Sequence, residues 1–441
     1  MKNVISSVSL RLIRPLFLAF ALLSAAVSAE ASLSMDVGAA LELTLKNNPA
    51  LLSLRRETDK ALAFKLQAEG TRRPELSFNA YVDYQKESQT SDGSSRYDNR
   101  TARVTLSHTL YSGGRNEALG RQIDQVTEIA ERNITDAENR AAGELLSRFY
   151  NVLLQERRAE TVRSGIATSE MHLREVSRMS ELGLSNRLEV IRASQQLAAN
   201  RADLSSAEGD LDNAVISLMN HMAIPPEDRQ PITGSLEVID TGGGREESLN
   251  AAMTNRADRA ALERQIEYQG NQIDIENSAS KPRVTLGASA GILDPYRSGN
   301  TADDTWRAEL SITIPIFDRD EARSGVIRAR AVMEQDRIAL SRKDLDIKSE
   351  VESSWREIET ARERLESSAL ALELAEESLR LAGVGFQEGV TPQLDLLQAQ
   401  TSLTESRLEH LSALYSQMQA VFALKTAEGN IIEWAERMNL R

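Results

Sequence analysis

Four segments of the chain alternate apolar and polar residues with a period of two, and the even-numbered positions are the apolar ones. Because side chains point alternately to the two faces of a β-strand, each segment predicts a strand with one apolar and one polar face. A length of about nine to eleven residues also suits a tilted strand that crosses a membrane. The predicted strands run over about 75–85, 102–111, 283–293 and 305–316.

The polar faces of these strands carry charged residues, including Arg103 and Glu309. A soluble antiparallel sheet packed on a core would show the same alternation. The charged polar faces and the long polar loops over 85–101 and 293–305 favour a membrane β-barrel, with lipid on one side and a water-filled lumen on the other. The aromatic residues expected at the membrane–water interfaces are Tyr84, Tyr111, Trp306 and Phe317.

A pair of long helices follows each pair of strands. Apolar residues recur there at alternating intervals of three and four, as between Leu394 and Phe422, which indicates coiled-coil packing against neighbouring helices. The first helix of each pair covers about 70 residues, which corresponds to on the order of 100 Å and is too long for a globular domain. The predicted helices run over about 113–183, 186–222, 319–389 and 392–428.

The second half of the chain repeats the first. Pro74 matches Pro282 at an offset of 208 residues, and the pattern that begins at Gly183 matches the one that begins at Gly389 at an offset of 206. Each repeat therefore predicts a helical segment, two strands and a pair of long helices. The predicted division is a first repeat over 30–228, a linker over 229–245, a second repeat over 246–429 and a C-terminal tail over 430–441.

The first 29 residues have the pattern of a cleaved export signal. Basic residues precede an apolar run of about a dozen residues, which is too short to cross a bilayer as a helix. Val27, Ser28 and Ala29 then provide the small residues that a signal peptidase recognises. We therefore predict a signal peptide over 1–29.

The composition argues against several classes of function. Without the three basic residues of the predicted signal, the chain keeps 66 acidic and 49 basic residues, and phosphate binding requires the opposite balance. The chain has no cysteine, and the glycines at 242–244 lack the Lys-Ser/Thr of a phosphate-binding loop. The histidines lie in different predicted elements without metal-ligand spacing: His108, His172, His221 and His410. The sequence thus predicts no enzyme, no metal or cofactor site and no nucleic-acid partner.

Four strands cannot close a barrel, and open sheet edges are not tolerated in hydrocarbon. A membrane barrel therefore requires several copies of the chain. Two copies give eight strands around an interior filled by side chains, whereas three give twelve strands with room for a channel. We predict a homotrimer in outer-membrane lipid. A secreted or periplasmic coiled-coil scaffold without channel activity is the alternative, because it would show the same helical pattern.

The turns that join the paired long helices share one motif. Gly183 and Gly389 end the first helix of each pair, and a Ser or Thr-Pro begins the second. Glu189 and Asp395 lie in the first turn of that second helix, where a carboxylate suits the helix dipole. Helix capping alone would explain the glycine and the cap, and much of the acidic residue.

Together with the Leu-Tyr-Ser-Gly-Gly-Arg run at 110–115 and Ile-Phe-Asp at 316–318, these turns resemble the TolC family of outer-membrane channel-tunnels. The resemblance covers nearly the whole chain after the predicted signal. It implies a trimer in which a twelve-stranded outer-membrane β-barrel continues into a twelve-helix periplasmic α-barrel. Such a protein is the exit duct of a tripartite efflux or type I secretion system in a Gram-negative bacterium and passes substrates without chemical change.

The resemblance also implies two partners: a periplasmic adaptor, and an inner-membrane pump that is either an RND pump or an ABC transporter. Docking is expected at the helix turns, at Gly183, Leu184, Ser185, Gly389, Val390, Thr391 and Pro392. Acidic residues ring the narrow periplasmic entrance in this family. Asp395 stands at the ring position, and Gln398 stands where a second acidic residue is frequent. A threefold axis would bring three Asp395 carboxylates together, which favours cations.

Polar links between the two helix pairs hold the entrance closed in the family, and this chain departs from that pattern. Phe386 stands where a tyrosine occurs, and Thr391 stands where an arginine occurs. Glu189 keeps the acidic partner on the first helix pair, and Arg187 is the candidate for the missing cation. We therefore expect these four residues beside the entrance, with links that differ from those of the family.

Overall fold

The computed structural model of the protein describes residues 34–88, 94–295 and 303–438, so the predicted signal peptide lies outside the described residues. Helices are numbered α1 to α9 and strands β1 to β4 in chain order. The first repeat contains α1 (Val37–Asn47), α2 (Pro49–Gly70), β1 (Glu75–Ser88), β2 (Ser94–Tyr111), α3 (Arg115–Glu181) and α4 (Arg187–Met222). The second contains α5 (Arg245–Asn255), α6 (Ala257–Asn277), β3 (Arg283–Pro295), β4 (Asp303–Thr313), α7 (Glu321–Gln387) and α8 (Gln393–Ala427), and α9 (Ile431–Arg437) follows.

The predicted duplication is confirmed by the bounds of these elements. An offset of 208 residues takes both ends of α1 onto those of α5, and an offset of 206 takes both ends of α3 onto those of α7. The helices α3 and α7 have 67 residues each, which makes each on the order of 100 Å long. Among the described residues, no helix combines the length and the hydrophobicity needed to cross a membrane.

The junction between α1 and α2 shows why the chain turns at this point. The side-chain oxygen of Asn48 accepts hydrogen bonds from the N–H groups of Ala50 (3.0 Å) and Leu51 (3.4 Å). Pro49 takes the first helical position, where a backbone N–H would have no acceptor within the helix, so the missing N–H of proline costs no hydrogen bond. Asn48 also donates to the carbonyl oxygen of His221 (2.9 Å), and this bond ties the junction to the end of α4.

Arg256 occupies the equivalent junction between α5 and α6. It is buried, and its guanidinium contacts Asp258 (2.7 Å) and Glu350 of α7 (2.6 Å). Burial raises the pKa of Asp258, but the hydrogen bond and charge of Arg256, assisted by Lys343, outweigh burial and lower that pKa to about 2. The carboxylate therefore stays ionised near neutral pH, and the cluster holds α6 against α7.

The strands form one antiparallel sheet in the order β1–β2–β3–β4. Even-numbered residues pair with even-numbered residues, for example Val104 with Ala290 and Leu286 with Leu310, so one apolar face continues across all four strands. Among the described residues, nothing covers this face, and its large side chains are exposed: Leu76, Phe78, Val82, Leu310 and Ile312. The opposite face is polar, as predicted, with Asn79 opposite Arg103.

The strand bounds differ from their prediction at both hairpins. The strand β4 ends at Thr313, three residues before the predicted end, because Pro315 has no N–H to donate to a ladder. The strand β2 begins at Ser94, and β1 continues to Ser88 and pairs along its full length with 94–107 of β2, which extends the hairpin beyond the predicted start near 102. The apolar alternation stops before that extension, so the pattern of residues could not indicate it.

Gly291 permits the close approach of β3 to β2. A Cβ atom there would overlap the backbone of Ala102 and Arg103, whereas a Cβ atom at Gly287 would make ordinary contacts, at 3.9 Å from the carbonyl oxygen of Glu309. We therefore expect Gly291→Ala to reduce the amount of folded protein strongly and Gly287→Ala to leave it nearly unchanged. Quantitative immunoblots of the protease-resistant protein in expressing cells measure this difference. Equal amounts of the two variants would contradict the register.

The main buried core lies where the short helices pack around the middle of α3 and the C-terminal ends of α4 and α8. Phe149 and Phe422 are its largest buried side chains, and the rings of Tyr150 and Phe422 lie 5.3 Å apart. A second, smaller cluster joins α5, α7 and α8 around Ile347 and Ile358. The core thus joins the two repeats at the middle of the long helices.

The segment predicted as a linker packs against this core. Ile239 is buried, and its backbone exchanges two hydrogen bonds with the side chain of Gln417 (2.6 and 3.2 Å). The segment predicted only as a tail contains the helix α9, in which Ile431 is fully buried and Trp434 packs edge-on against Phe422. Both segments therefore add to the core, which their short apolar patterns did not indicate.

Candidate functional site: the helix turns of the two hairpins

The helices α3 and α4 form the first hairpin and α7 and α8 form the second. Each hairpin turns at a glycine in the left-handed region, Gly183 with φ 73° and Gly389 with φ 76°. The N–H of the next residue closes the helix end, since Leu184 donates to Met179 (2.8 Å) and Val390 donates to Gly385 (2.9 Å). This double turn satisfies the last carbonyl groups and is strained for any residue other than glycine.

Glu189 is held by its own turn. Its backbone N–H donates to the side chain of Asn186 (3.0 Å), and its carboxylate accepts hydrogen bonds from Ser185 and Asn186. These bonds form the N-terminal cap of α4, so the capping interpretation explains this residue fully within the chain. Within the part of the chain that the structure describes, the carboxylate makes no hydrogen bond or ion pair with the second hairpin.

The second turn is built differently. Thr391 donates its N–H to the carbonyl oxygen of Gly385 (3.0 Å), and its side chain fills the space that a Cβ atom of Gly385 would need. The backbone N–H of Asp395 donates to the carbonyl oxygen of Pro392 (3.1 Å). Its side chain is exposed and makes no hydrogen bond or ion pair within the described part of the chain. Glu189 and Asp395 thus hold equivalent positions in the two repeats. The carboxylate of Glu189 is hydrogen-bonded in its own turn, whereas, among the described residues, the carboxylate of Asp395 is free to bind another group.

Gln393 joins the two hairpins. From the first turn of α8, its Nε2 donates to the carbonyl oxygen of Glu189 (3.1 Å) and lies 3.2 Å from Nε2 of His172 on α3. The half-buried ring of Phe386 packs edge-on against the ring of His172, with centroids 5.6 Å apart. Inside one chain, the two hairpins are therefore joined through this His172–Gln393 contact.

Burial lowers the pKa of His172 below its ordinary value, although the charges of Glu175 and Glu189 partly oppose this shift. The contact with Gln393 is therefore at full strength above the ordinary histidine pKa and weakens as the pH falls below it. We expect amide hydrogen exchange of residues 386–396, corrected for its intrinsic rate, to become several-fold faster in mild acid. The variant His172→Gln cannot titrate and should lose this response. An equal response in both proteins would show that His172 is not its source.

The remaining predicted site residues fall into two groups. Arg187 is exposed on the first turn of α4, and Gln398 is exposed on the second turn of α8. The loops between the paired helices also expose apolar side chains, with Leu184 74% and Val390 75% exposed. The interface aromatics Tyr111, Trp306 and Phe317 are exposed at or near the strand ends, whereas the side chain of Tyr84 lies outside the described residues. Within 34–88, 94–295 and 303–438, no group of three or more His, Cys, Asp and Glu residues is placed to hold one metal ion.

Comparison with known proteins gives one consistent result. The family described as Outer membrane efflux protein matches residues 40–223 and 248–430, which correspond to the two repeats. The cobalt-zinc-cadmium resistance protein CzcC of Cupriavidus metallidurans is 22% identical over 89% of both chains. The outer membrane efflux protein BepC of Brucella suis is 21% identical over 95% of this chain and 91% of its own. The Campylobacter jejuni CmeC outer membrane channel superposes with a TM-score of 0.78 at 15% identity, over 89% of this chain and 85% of that one.

Proposed function

Because the chain belongs to the outer membrane efflux protein family, as the match over both repeats shows, it is an outer-membrane exit duct for efflux that extends into the periplasm of a Gram-negative bacterium, and we propose that three copies close this duct. The family consists of channel proteins of the TolC type, and the relatives named above are efflux and resistance proteins. An outer-membrane efflux role therefore takes precedence over the secreted scaffold that the helices alone would allow.

The proposed trimer is supported by two elements of the first repeat that lack a neighbour which their equivalents in the second repeat have within the described residues. In the second repeat, β3 lies between β2 and β4, and α6 packs against both α3 and α7. Among the described residues, their equivalents in the first repeat, β1 and α2, have the neighbour on one side only, since β1 pairs with β2 and α2 packs against α3. The second repeat of another copy supplies the missing side. Three copies bring twelve strands, which leave room for a channel.

The duplication also supports a contact between two predicted entrance residues. Inside the chain, Gln393 of the second repeat reaches the carbonyl oxygen of Glu189 in the first (3.1 Å). Repeating this contact between copies brings Arg187, the equivalent of Gln393, to Asp395 of the neighbouring copy, the equivalent of Glu189. Arg187 then lies close to the backbone of Asp395, whose carboxylate has no hydrogen bond or ion pair among the described residues of its own chain. We propose that this pair narrows the periplasmic entrance.

A periplasmic adaptor and an inner-membrane pump complete the proposed assembly. The exposed Leu184 and Val390 at the two turns support a docking role, because large apolar side chains at an exposed tip favour a protein partner. We expect Leu184→Asp together with Val390→Asp to abolish efflux in cells that express the adaptor and pump, without loss of the trimer. Efflux at the wild-type rate in this variant would exclude the turns as the docking surface.

Planar-bilayer recording tests the duct itself. The purified protein should form ion-conducting channels without any energy source, and the heat-sensitive trimer band in mild detergent should be the conducting species. Heat-dissociated protein at the same concentration is the control and should give no channels. A trimer from the outer-membrane fraction that never conducts, even with Asp395→Ala to widen the entrance, would overturn the proposed function.

A further inference from the structure

The junction between the two repeats inside the chain shows how neighbouring repeats pack. The helix α6 lies along α3, where Arg121 donates to Asn271 (2.6 Å) and pairs with Asp274 (2.7 Å). Asn271 also donates to Gln125 (2.8 Å). One further turn along α3, Glu128 pairs with Arg264 (3.0 Å). This junction is therefore held by polar side chains, several of them buried: Gln122, Asn271 and Ser278.

The offsets of the duplication identify the equivalent positions at the free edges of the chain. The pair Glu128 and Arg264 corresponds to Glu334 on α7 and Arg56 on α2, so both charges are kept. Among the described residues of the single chain, these two residues make only local ion pairs within their own helices, Glu334 with Arg337 (3.4 Å) and Arg56 with Asp59 (3.2 Å). The ion pair that joins the two repeats inside the chain thus has an equivalent pair of opposite charges, one at each free edge.

The other positions change from polar to apolar. Arg121 and Gln125 of α3 correspond to Ile327 and Ala331 of α7, and Asn271 and Asp274 of α6 correspond to Ala63 and Leu66 of α2. All four replacements are exposed in the single chain, with Ile327 58% and Leu66 61% exposed. At the internal junction, by contrast, Asn271 is buried. The two free edges therefore carry matching apolar side chains where the internal junction carries hydrogen bonds.

The same change continues along the long helices. Ser164 and Thr168 of α3 line the groove between α3 and α8. Their equivalents on α7 are Leu370 and Leu374, which are exposed by 57% and 62%. In the duplication α7 is the equivalent of α3, and α4 is the equivalent of α8. Repeating the α3–α8 contact between copies therefore brings this part of α7 to face α4 of the next copy. The free edge of α7 thus exposes apolar side chains near both of its ends.

We propose that α2 of a neighbouring copy packs along α7, with Ala63 and Leu66 against Ala331 and Ile327, and with Arg56 paired to Glu334. This interface rests on the proposed trimer and assigns residues to it. Separate chains associate after export, and the burial of apolar surface favours their association in water. Permanent interfaces between subunits are correspondingly apolar. The internal junction is formed by a covalently joined partner and can be polar. The Arg56–Glu334 pair then sets the register along the two helices.

Cysteine cross-linking tests this placement without removing any native cysteine, since the chain has none. The double variant Ala63→Cys with Ala331→Cys should give covalent dimers and trimers on a denaturing gel after treatment of outer membranes with a short bifunctional thiol reagent. The matched control is Gln125→Cys with Asn271→Cys at the internal junction, which should link within one chain and leave a monomer. Each single variant should give no covalent oligomer.

The outcomes separate the interface from the trimer. If the Ala63/Ala331 variant stays uncrosslinked while the internal control reacts and the trimer persists in mild detergent, the placement of α2 is wrong and the proposed function stands. If the protein extracted from outer membranes is monomeric, both fail. A charge exchange adds a second measure: Arg56→Glu and Glu334→Arg should each lower the temperature at which the trimer dissociates, and together they should restore it. Additive lowering in the double variant would overturn the pair.

Discussion

Leu310→Arg should prevent the chain from assembling stably in the outer membrane. Leu310 lies on the apolar face of β4, opposite Leu286, and is 61% exposed. On the lipid face of a barrel an arginine costs about 2–4 kcal/mol near the middle of the membrane, and a trimer carries this cost three times. We therefore expect the heat-sensitive trimer to be nearly absent from outer-membrane fractions. The measurement is its amount on mild-detergent gels relative to total protein.

Ser311→Arg is the matched control for this variant. Ser311 is the next residue of the same strand, and its side chain points to the polar face, opposite Thr285. The arginine side chain introduced there would be exposed to the water-filled lumen, so the amount of assembled trimer should stay close to the wild-type level. If Leu310→Arg assembles as well as Ser311→Arg, the apolar face does not contact lipid. The sheet would then be packed against another protein surface.

Asp395→Asn should shift the channel from cation preference towards anions and raise its conductance. Three copies bring three of these carboxylates to the proposed entrance, and their loss removes a ring of negative charge that favours cations. The proposed contact with Arg187 of the neighbouring copy is lost at the same time, so the entrance widens. The reversal potential under a salt gradient measures the first effect, and the single-channel current measures the second.

Glu189→Gln is the control for Asp395→Asn, because the two residues hold equivalent positions in the repeats. Glu189 is occupied by the cap formed with Ser185 and Asn186. Its replacement should therefore leave selectivity nearly unchanged and cost only part of a helix cap, on the order of 1 kcal/mol. If Asp395→Asn leaves both selectivity and conductance at the wild-type values, Asp395 does not line the entrance.

Much of this fold follows from local patterns in the sequence. Alternation with a period of two depends only on neighbouring residues, so the faces of the strands, such as Val104 against Arg103, could be predicted. The duplication worked in the same way, because matched positions like Gly183 and Gly389 can be compared without knowing the fold. The left-handed φ of both glycines follows from their place at the ends of the helices α3 and α7.

The contacts between distant segments could not be predicted in this way. The residues of the His172–Gln393 contact lie 221 positions apart, and neither residue is unusual in its own helix. The cap that the side chain of Glu189 forms follows from its place in the first turn of α4, whereas its place at the entrance came from the family resemblance and stays a prediction. The change from Arg121 to Ile327 was present in the sequence, but it became informative only once α6 was seen to lie along α3.

The proposed duct is formed by three copies of a chain that cannot close it alone. Native mass spectrometry of the protein extracted from outer membranes in mild detergent counts these copies. We expect one dominant species with three times the mass of the processed chain. A dominant monomer would contradict this proposal, and so would a dimer, whose eight strands would enclose an interior filled with side chains rather than a channel.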